Sequence, residues 1–141
     1  MCKQGDIIVI NEYKDHGSVL SRHSFVVIDD EGGTVQGLSF DFIAQVMSSF
    51  KSEEQKQRKL KYPGNFPITA SGKNMNPGAN NKEGYIKAEQ FYYFDKSKTK
   101  FSVIGKMTDT TFFDLLDFIE SLADNGVSIE QIIDNLYEQL L

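Results

Sequence analysis

Two histidines, one arginine and a base and acid two residues apart are the side chains of this chain best suited to moving protons beside a phosphodiester. His16 lies in a polar segment punctuated by Gly17, where an exposed imidazole titrates near neutrality. Arg22 stands six residues later at the mouth of an apolar run and offers a two-pronged fork for a phosphate, with His23 as its neighbour. Much further on comes Lys87-Ala88-Glu89-Gln90. On an extended strand Lys87 and Glu89 share one face, and the ammonium poises the carboxylate. Ser48 and Ser49 close another strand-like run and can donate a hydroxyl to phosphate. Each group also has a plainer reading: a surface-loop histidine, a strand-end arginine facing water, a cross-strand ion pair, a pair of capping serines. Cleaving a ribose phosphodiester without a metal needs a base for the 2′-hydroxyl, an acid for the leaving 5′-oxygen, and cations or donors around the phosphorane. The set contains all three kinds.

Short strands must position these groups. Residues 5–10 and 24–29 are apolar and β-branched, and the polar connection Asn11 to Ser21 predicts strand, loop, strand. Asp29-Asp30-Glu31-Gly32-Gly33 predicts a turn, followed by strands over 34–38 and 42–47, with helix an alternative near Asp41 to Val46. Lys51, Lys56, Arg58, Lys59 and Lys61 crowd a segment that is solvated as helix or loop, and Tyr62-Pro63-Gly64-Asn65 ends it. Residues 70–84 are rich in Gly and Asn around Pro77 and predict a structureless stretch, either a lid or disordered. Tyr85 to Phe94 and Lys100 to Ile104 predict two strands about a turn. Strands this short and this regularly spaced suggest a small closed β-barrel.

The end of the chain changes character. Thr108 or Asp109 caps a helix carrying Phe112, Leu115, Phe118, Ile119 and Leu122, which Asn125-Gly126 stops. Ser128 with Gln131 forms a capping-box pair for a second helix, whose stripe Ile129, Ile132, Ile133, Leu136, Tyr137, Leu140 repeats at three and four. The predicted protein is a single domain, mainly β with C-terminal α: a barrel over residues 3–106 and two helices over 108–141.

The net charge of −5 at first disfavours a nucleic-acid partner, but its distribution does not. From Met107 to Leu141 there are eight acids and no Lys or Arg, which leaves 15 basic and 12 acidic side chains in residues 1–106. A mildly basic body with an acidic appendage results. Cys2 is alone, so no internal disulfide forms, and no Cys or His neighbours it at ligand spacing; the expectation is no metal and no cofactor. No apolar run approaches a membrane span and no signal-peptide core follows Met1, which predicts a cytoplasmic protein without a membrane partner.

In order and spacing these segments resemble the PemK/MazF (Kid-type) toxins. Gly5-Asp6 opens the first strand, Arg22-His23-Ser24 leads into Phe25-Val26-Val27-Ile28, and His16 lies six residues before the arginine, as in the Kid-like branch. Val46-Met47-Ser48-Ser49 matches a strand ending in Thr or Ser, Tyr62 to Ile68 a Pro-containing strand, and Lys87-Ala88-Glu89-Gln90 the closing motif. The resemblance covers roughly residues 3–123. It implies an SH3-like barrel, a homodimer whose barrels build an RNA groove, and a metal-independent endoribonuclease acting on single-stranded RNA to leave a 2′,3′-cyclic phosphate. It further implies Glu89 and His16 as the acid/base pair, Arg22 and Lys87 on the phosphate, Ser48 as a supporting donor, and a cognate antitoxin as partner. Lys51, Lys56, Arg58, Lys59, Lys61 and Tyr85, with Tyr92 or Tyr93, then track and stack the flanking nucleotides. His23 stands where the family has proline and is an alternative base; Lys87 replaces a common arginine and Glu89 an aspartate. The segment after Ser128 and the 70–84 loop have no counterpart. Two other classes fit the same barrel: a protein that binds a protein target, as a topoisomerase-poisoning relative does, and one that binds RNA without cutting it.

Overall fold

The computed structural model describes residues 1–137 of the 141-residue chain. Its first element is a long hairpin, β1 (Asp6–Asp15) and β2 (Ser18–Asp29), paired without interruption from Ile7 opposite Val26 to Asp15 opposite Ser18. The predicted loop from Asn11 to Ser21 is therefore strand. Only His16 and Gly17 turn, both left-handed at φ 51° and 82°, the conformation of a two-residue turn whose twist matches its strands. Tyr13 and Leu20, in the polar connection, extend the hairpin by packing on the core.

A small hairpin, β3 (Gly33–Val35) and β4 (Leu38–Phe40), precedes β5 (Phe42–Ser49), which lies beside β2. The basic segment is a helix, α1 (Glu53–Leu60), capped by the Ser52 hydroxyl accepting from Gln55 N at 3.0 Å, and it buries no residue. Then follow β6 (Asn65–Ile68), a turn of 3-10 helix, β7 (Lys73–Met75), β8 (Gly84–Lys87), β9 (Gln90–Phe94) and β10 (Phe101–Met107). The 70–84 stretch is not structureless. β7 pairs with β10, and Asn76 N and Nδ2, Ala79 N and Asn81 Nδ2 all donate to backbone carbonyls.

The helix α2 (Asp109–Asp124) has the predicted ends: the Thr108 hydroxyl accepts from Thr111 N, and Gly126 at φ 75° lets Val127 N reach back to Leu122 O at 2.9 Å. The predicted second helix does not form. Its described part is a strand, β11 (Glu130–Ile132), parallel to β9, and a 3-10 turn at Asp134–Leu136; residues 138–141 lie outside the described residues. Spacing at three and four marks the same isoleucines in either state. β9 offers an unpaired edge, and extended backbone beside it satisfies donors and acceptors on both strands while suiting β-branched side chains. Ile132 then enters the core behind Tyr92, and Leu136 packs with Val35 and Tyr93.

The main sheet has the order β11-β9-β5-β2-β1-β10-β7, with β8 beside β5 and β6 beside β8. Its outer strands do not pair with each other, so among the described residues the sheet stays open. Successive residues of the central strands enter different cores: Ile8, Val27 and Val46 meet the aromatic group of Tyr13, Phe25, Phe42, Tyr92 and Phe94, while Ile7, Val26 and Met47 meet α2 through Phe112, Leu115 and Leu122. Burial on both faces explains why these strands read as continuous apolar runs. No helix among the described residues is long and apolar enough to cross a membrane.

Candidate functional site

β2 loses its β5 neighbour at Ser24, opposite Met47, and β5 ends two residues later at Ser49. At that fork a groove of about 840 Å³ opens. Arg22, His23 and Ser24 form one wall, Ser48, Ser49 and Phe50 the other, and Lys51 and Lys59 reach in from the α1 side, with Lys82 and Tyr85 from β8 and the turn before it. Gly84 makes the close approach of β8 possible, since a Cβ there would run into the Ser48 carbonyl oxygen. Arg22, Lys51, Lys59 and Lys82 line the groove and, among the described residues, no Asp or Glu does. In a chain of net charge −5, this is a local reversal of sign that suits a polyanion.

His23 is the titratable group of this groove with a defined hydrogen-bonding role. Its Nδ1 lies 3.0 Å from the Ser21 carbonyl oxygen and 3.2 Å from Tyr13 Oη. A carbonyl only accepts, so these partners assign a proton to Nδ1, and a neutral ring held this way carries its lone pair on Nε2. Burial pushes the Tyr13 phenol up to about 12, which keeps it neutral beside the imidazole. The Tyr13 ring also meets the imidazole edge-on at 5.7 Å and holds its orientation.

Of the residues selected from sequence, Arg22, His23, Ser48, Lys51, Lys59 and Tyr85 meet here. Tyr85 is nearly buried: Phe50 stacks on it at 5.3 Å and Lys59 Nζ lies 5.9 Å from its centroid. Lys56 instead bonds Glu83 at 3.2 Å and sits over Phe50. Arg58 and Lys61 are exposed but do not line the groove, and Tyr92 and Tyr93 are core residues.

His16, Lys87, Glu89 and Gln90 do not line it either. β8 ends at Lys87 and Ala88-Glu89 is a turn, so Lys87 and Glu89 do not share a strand face as expected. Glu89 tucks its carboxyl against Gly64 and Tyr62, where Oε2 is buried without a partner, and burial pushes its pKa up. His16 occupies the hairpin tip, with Asp15 on Nδ1 and Glu130 Oε2 2.9 Å from Nε2. Its hydrogen bond to Glu130, then the charge of Asp15, raises its pKa. Gly17 N donates to Asp134 Oδ2, Lys14 N to Asn135 Oδ1, and Gln90 Nε2 to Glu130 Oε1. This second cluster fastens the C-terminal segment to the hairpin, and it favours the protonated form of His16.

Sequence reasoning missed Lys82 and Lys73, the latter behind Arg22 on β7. Neither carries a local signal, because both sit in the polar stretch that reads as loop. No model of a known protein family matches the chain, and no curated protein matches it.

Proposed function

We propose that the groove at the β2–β5 fork binds single-stranded RNA and cleaves it without a metal, through attack of the 2′-hydroxyl on the adjacent phosphate. The observation that carries this reading is the acid-free wall of Arg22, Lys51, Lys59 and Lys82 around an imidazole whose Nε2 is free. Arg22 holds the scissile phosphate by its fork. His23 Nε2 takes the 2′-hydroxyl proton, the bond from that oxygen to phosphorus forms, and the bond to the 5′-oxygen breaks. The Ser48 hydroxyl and the lysine ammonium groups offset charge on the phosphorane, and the departing 5′-oxygen takes its proton from water in the open groove. A 2′,3′-cyclic phosphate remains.

His23 is thereby the base, in place of the Glu89 and His16 pair that the family resemblance implies, because neither of those lines the groove: His16 sits in the hairpin-tip cluster and the Glu89 carboxyl against Gly64. The reading keeps the resemblance to PemK/MazF toxins in its other parts: an SH3-like relation of the curled sheet, a homodimer, and an antitoxin that covers the groove. Incubation of the purified protein with a long mixed-sequence RNA in EDTA tests it. Discrete breaks with cyclic phosphate ends are expected; intact RNA, 3′-hydroxyl ends or dependence on Mg²⁺ would overturn it. A barrel that only binds RNA would retain the complex and leave every bond intact.

A further inference from the structure

Arg22 has two sides. Behind it, away from α1, lies a chamber of about 470 Å³ that shares Arg22, Ser24, Met47, Ser48, Ser49 and Lys82 with the groove and so is continuous with it. Its volume is in the range of pockets that enclose a small ligand, roughly 300–1,000 Å³. Its inner wall is apolar, with Met47, Ile68 and Ile104. Its charged groups are Arg22, Lys73 and Lys82, again with no Asp or Glu.

Lys73 is the unusual member. It is 9 % exposed, and its Nζ donates to the Lys82 carbonyl at 2.6 Å. An ammonium has three N–H groups, and burying one with only a carbonyl for company is costly. Burial pushes the Lys73 pKa down accordingly. The fold nevertheless holds it in place. β7 brings Lys73 opposite Met107, and Gly105 makes the approach possible, since a Cβ on Gly105 would lie 2.6 Å from Met75 Sδ and 2.9 Å from the Asn74 carbonyl oxygen. An apolar wall of Ile and Met side chains, a donor-only group at one side and an arginine fork at the mouth are parts that a nucleotide can fill.

We propose that this chamber receives one nucleobase of the bound strand and that Lys73 selects a base turning carbonyl acceptors inward, guanine or uracil, over adenine. The base lies on the apolar wall while its phosphate stays at Arg22. The spare N–H groups of Lys73 meet O6 and N7 of guanine or a carbonyl of uracil; adenine would present its amino group to a donor. This inference rests on the RNA reading of the groove and adds the base preference to it.

Fluorescently labelled 2′-O-methyl RNA pentamers, which lack the attacking hydroxyl, provide the test: four adenosines flank a central guanine, uracil, adenine or abasic site. The protein should bind the guanine or uracil pentamer about fivefold to a hundredfold more tightly than the adenine or abasic one, the span for one well-placed donor and acceptor set. Lys73→Met should bring that ratio near one. Ala79→Trp, at the chamber's half-buried rim, should do the same from a loop position, and decides the matter if Lys73→Met does not fold. Equal binding of all four pentamers, an adenine preference, or a ratio untouched by a folded variant would overturn the chamber while leaving the groove as an RNA site. Binding of none of them at low salt would overturn the RNA reading itself.

Discussion

His16 and Arg22 stand six residues apart on one hairpin, and their surroundings have opposite sign. Around Arg22 the described residues collect lysines, leave out acids and orient an imidazole through its Nδ1. Around His16 the chain collects Asp15, Glu130 and Asp134, which favour the protonated ring and use it to fasten the C-terminal segment. The difference shows that a histidine's place in a motif does not fix its task. A free Nε2 next to cations is a base, whereas one bonded to a carboxylate is a clasp.

Breaking the cationic region should have the largest effect. Arg22→Ala should lower RNA cleavage by about a hundredfold or more, the scale for losing a group that stabilises developing charge, and leave the unfolding temperature nearly unchanged because the side chain is exposed. His23→Asn comes next. Its amide can replace Nδ1 as donor to the Ser21 carbonyl but supplies no base, so cleavage should fall by about tenfold to a thousandfold. His16→Asn, which tolerates the left-handed turn, should cleave like the parent. Reversal of that pair would return the catalytic role to the hairpin tip.

The acidic region should answer in stability instead. Ending the chain after Asn125 removes Ile132 and Leu136, buried at 2 % and 5 % exposure, each contributing about 1.5–3 kcal/mol of burial. A fall of at least about 5 °C in unfolding temperature is expected, and an unchanged value would mean the clasp holds nothing. Smaller, and pH-dependent, is the effect of His16→Asn on unfolding. The folded state raises the His16 pKa above its ordinary 6.5, so the clasp contributes fully below that value and fades as pH rises through the raised one. The gap between parent and variant should therefore be wider at pH 5.5 than at pH 9, and a gap that grows with pH would contradict the ion pair. Glu89→Gln should have the smallest effect. Burial raises this carboxyl from 4.5, so its neutral form is favoured in the fold, and the stability tied to it is lost as pH rises through the raised value. The variant should match the parent near pH 4 and exceed it at pH 8; a loss at pH 8 would reveal a partner for Oε2.

Some of this was legible in the chain. The apolar runs at Ile7 and Phe25 and the caps Thr108 and Gly126 follow from local pattern, because turn geometry and capping are set by neighbours in sequence; Arg22, which reads as the mouth of a strand, lies inside β2. The long hairpin was not, since Tyr13 and Leu20 are isolated apolar residues whose meaning depends on Phe25 and Tyr92 across the core. The separation of Glu89 from Arg22 was equally hidden. It depends on a turn at Ala88-Glu89 that the Gln45 side chain helps to fix by donating from Nε2 to the Ala88 carbonyl at 2.8 Å.

By itself, then, the sequence determined a mainly β chain with a capped helix near its end, a basic body and acidic tail, and the fork residues Arg22, His23 and Ser48 as reactive types. Tertiary structure decided which of them meet. It put Ile132 in a strand, because β9 had an edge to satisfy, and it made His16 a clasp, because that strand carries Glu130. It also brought Lys73 and Lys82 behind and beside Arg22, from a stretch whose composition reads as loop. Long-range pairing sets these outcomes, and backbone hydrogen bonds and burial on distant strands outweigh the local preferences that a sequence displays.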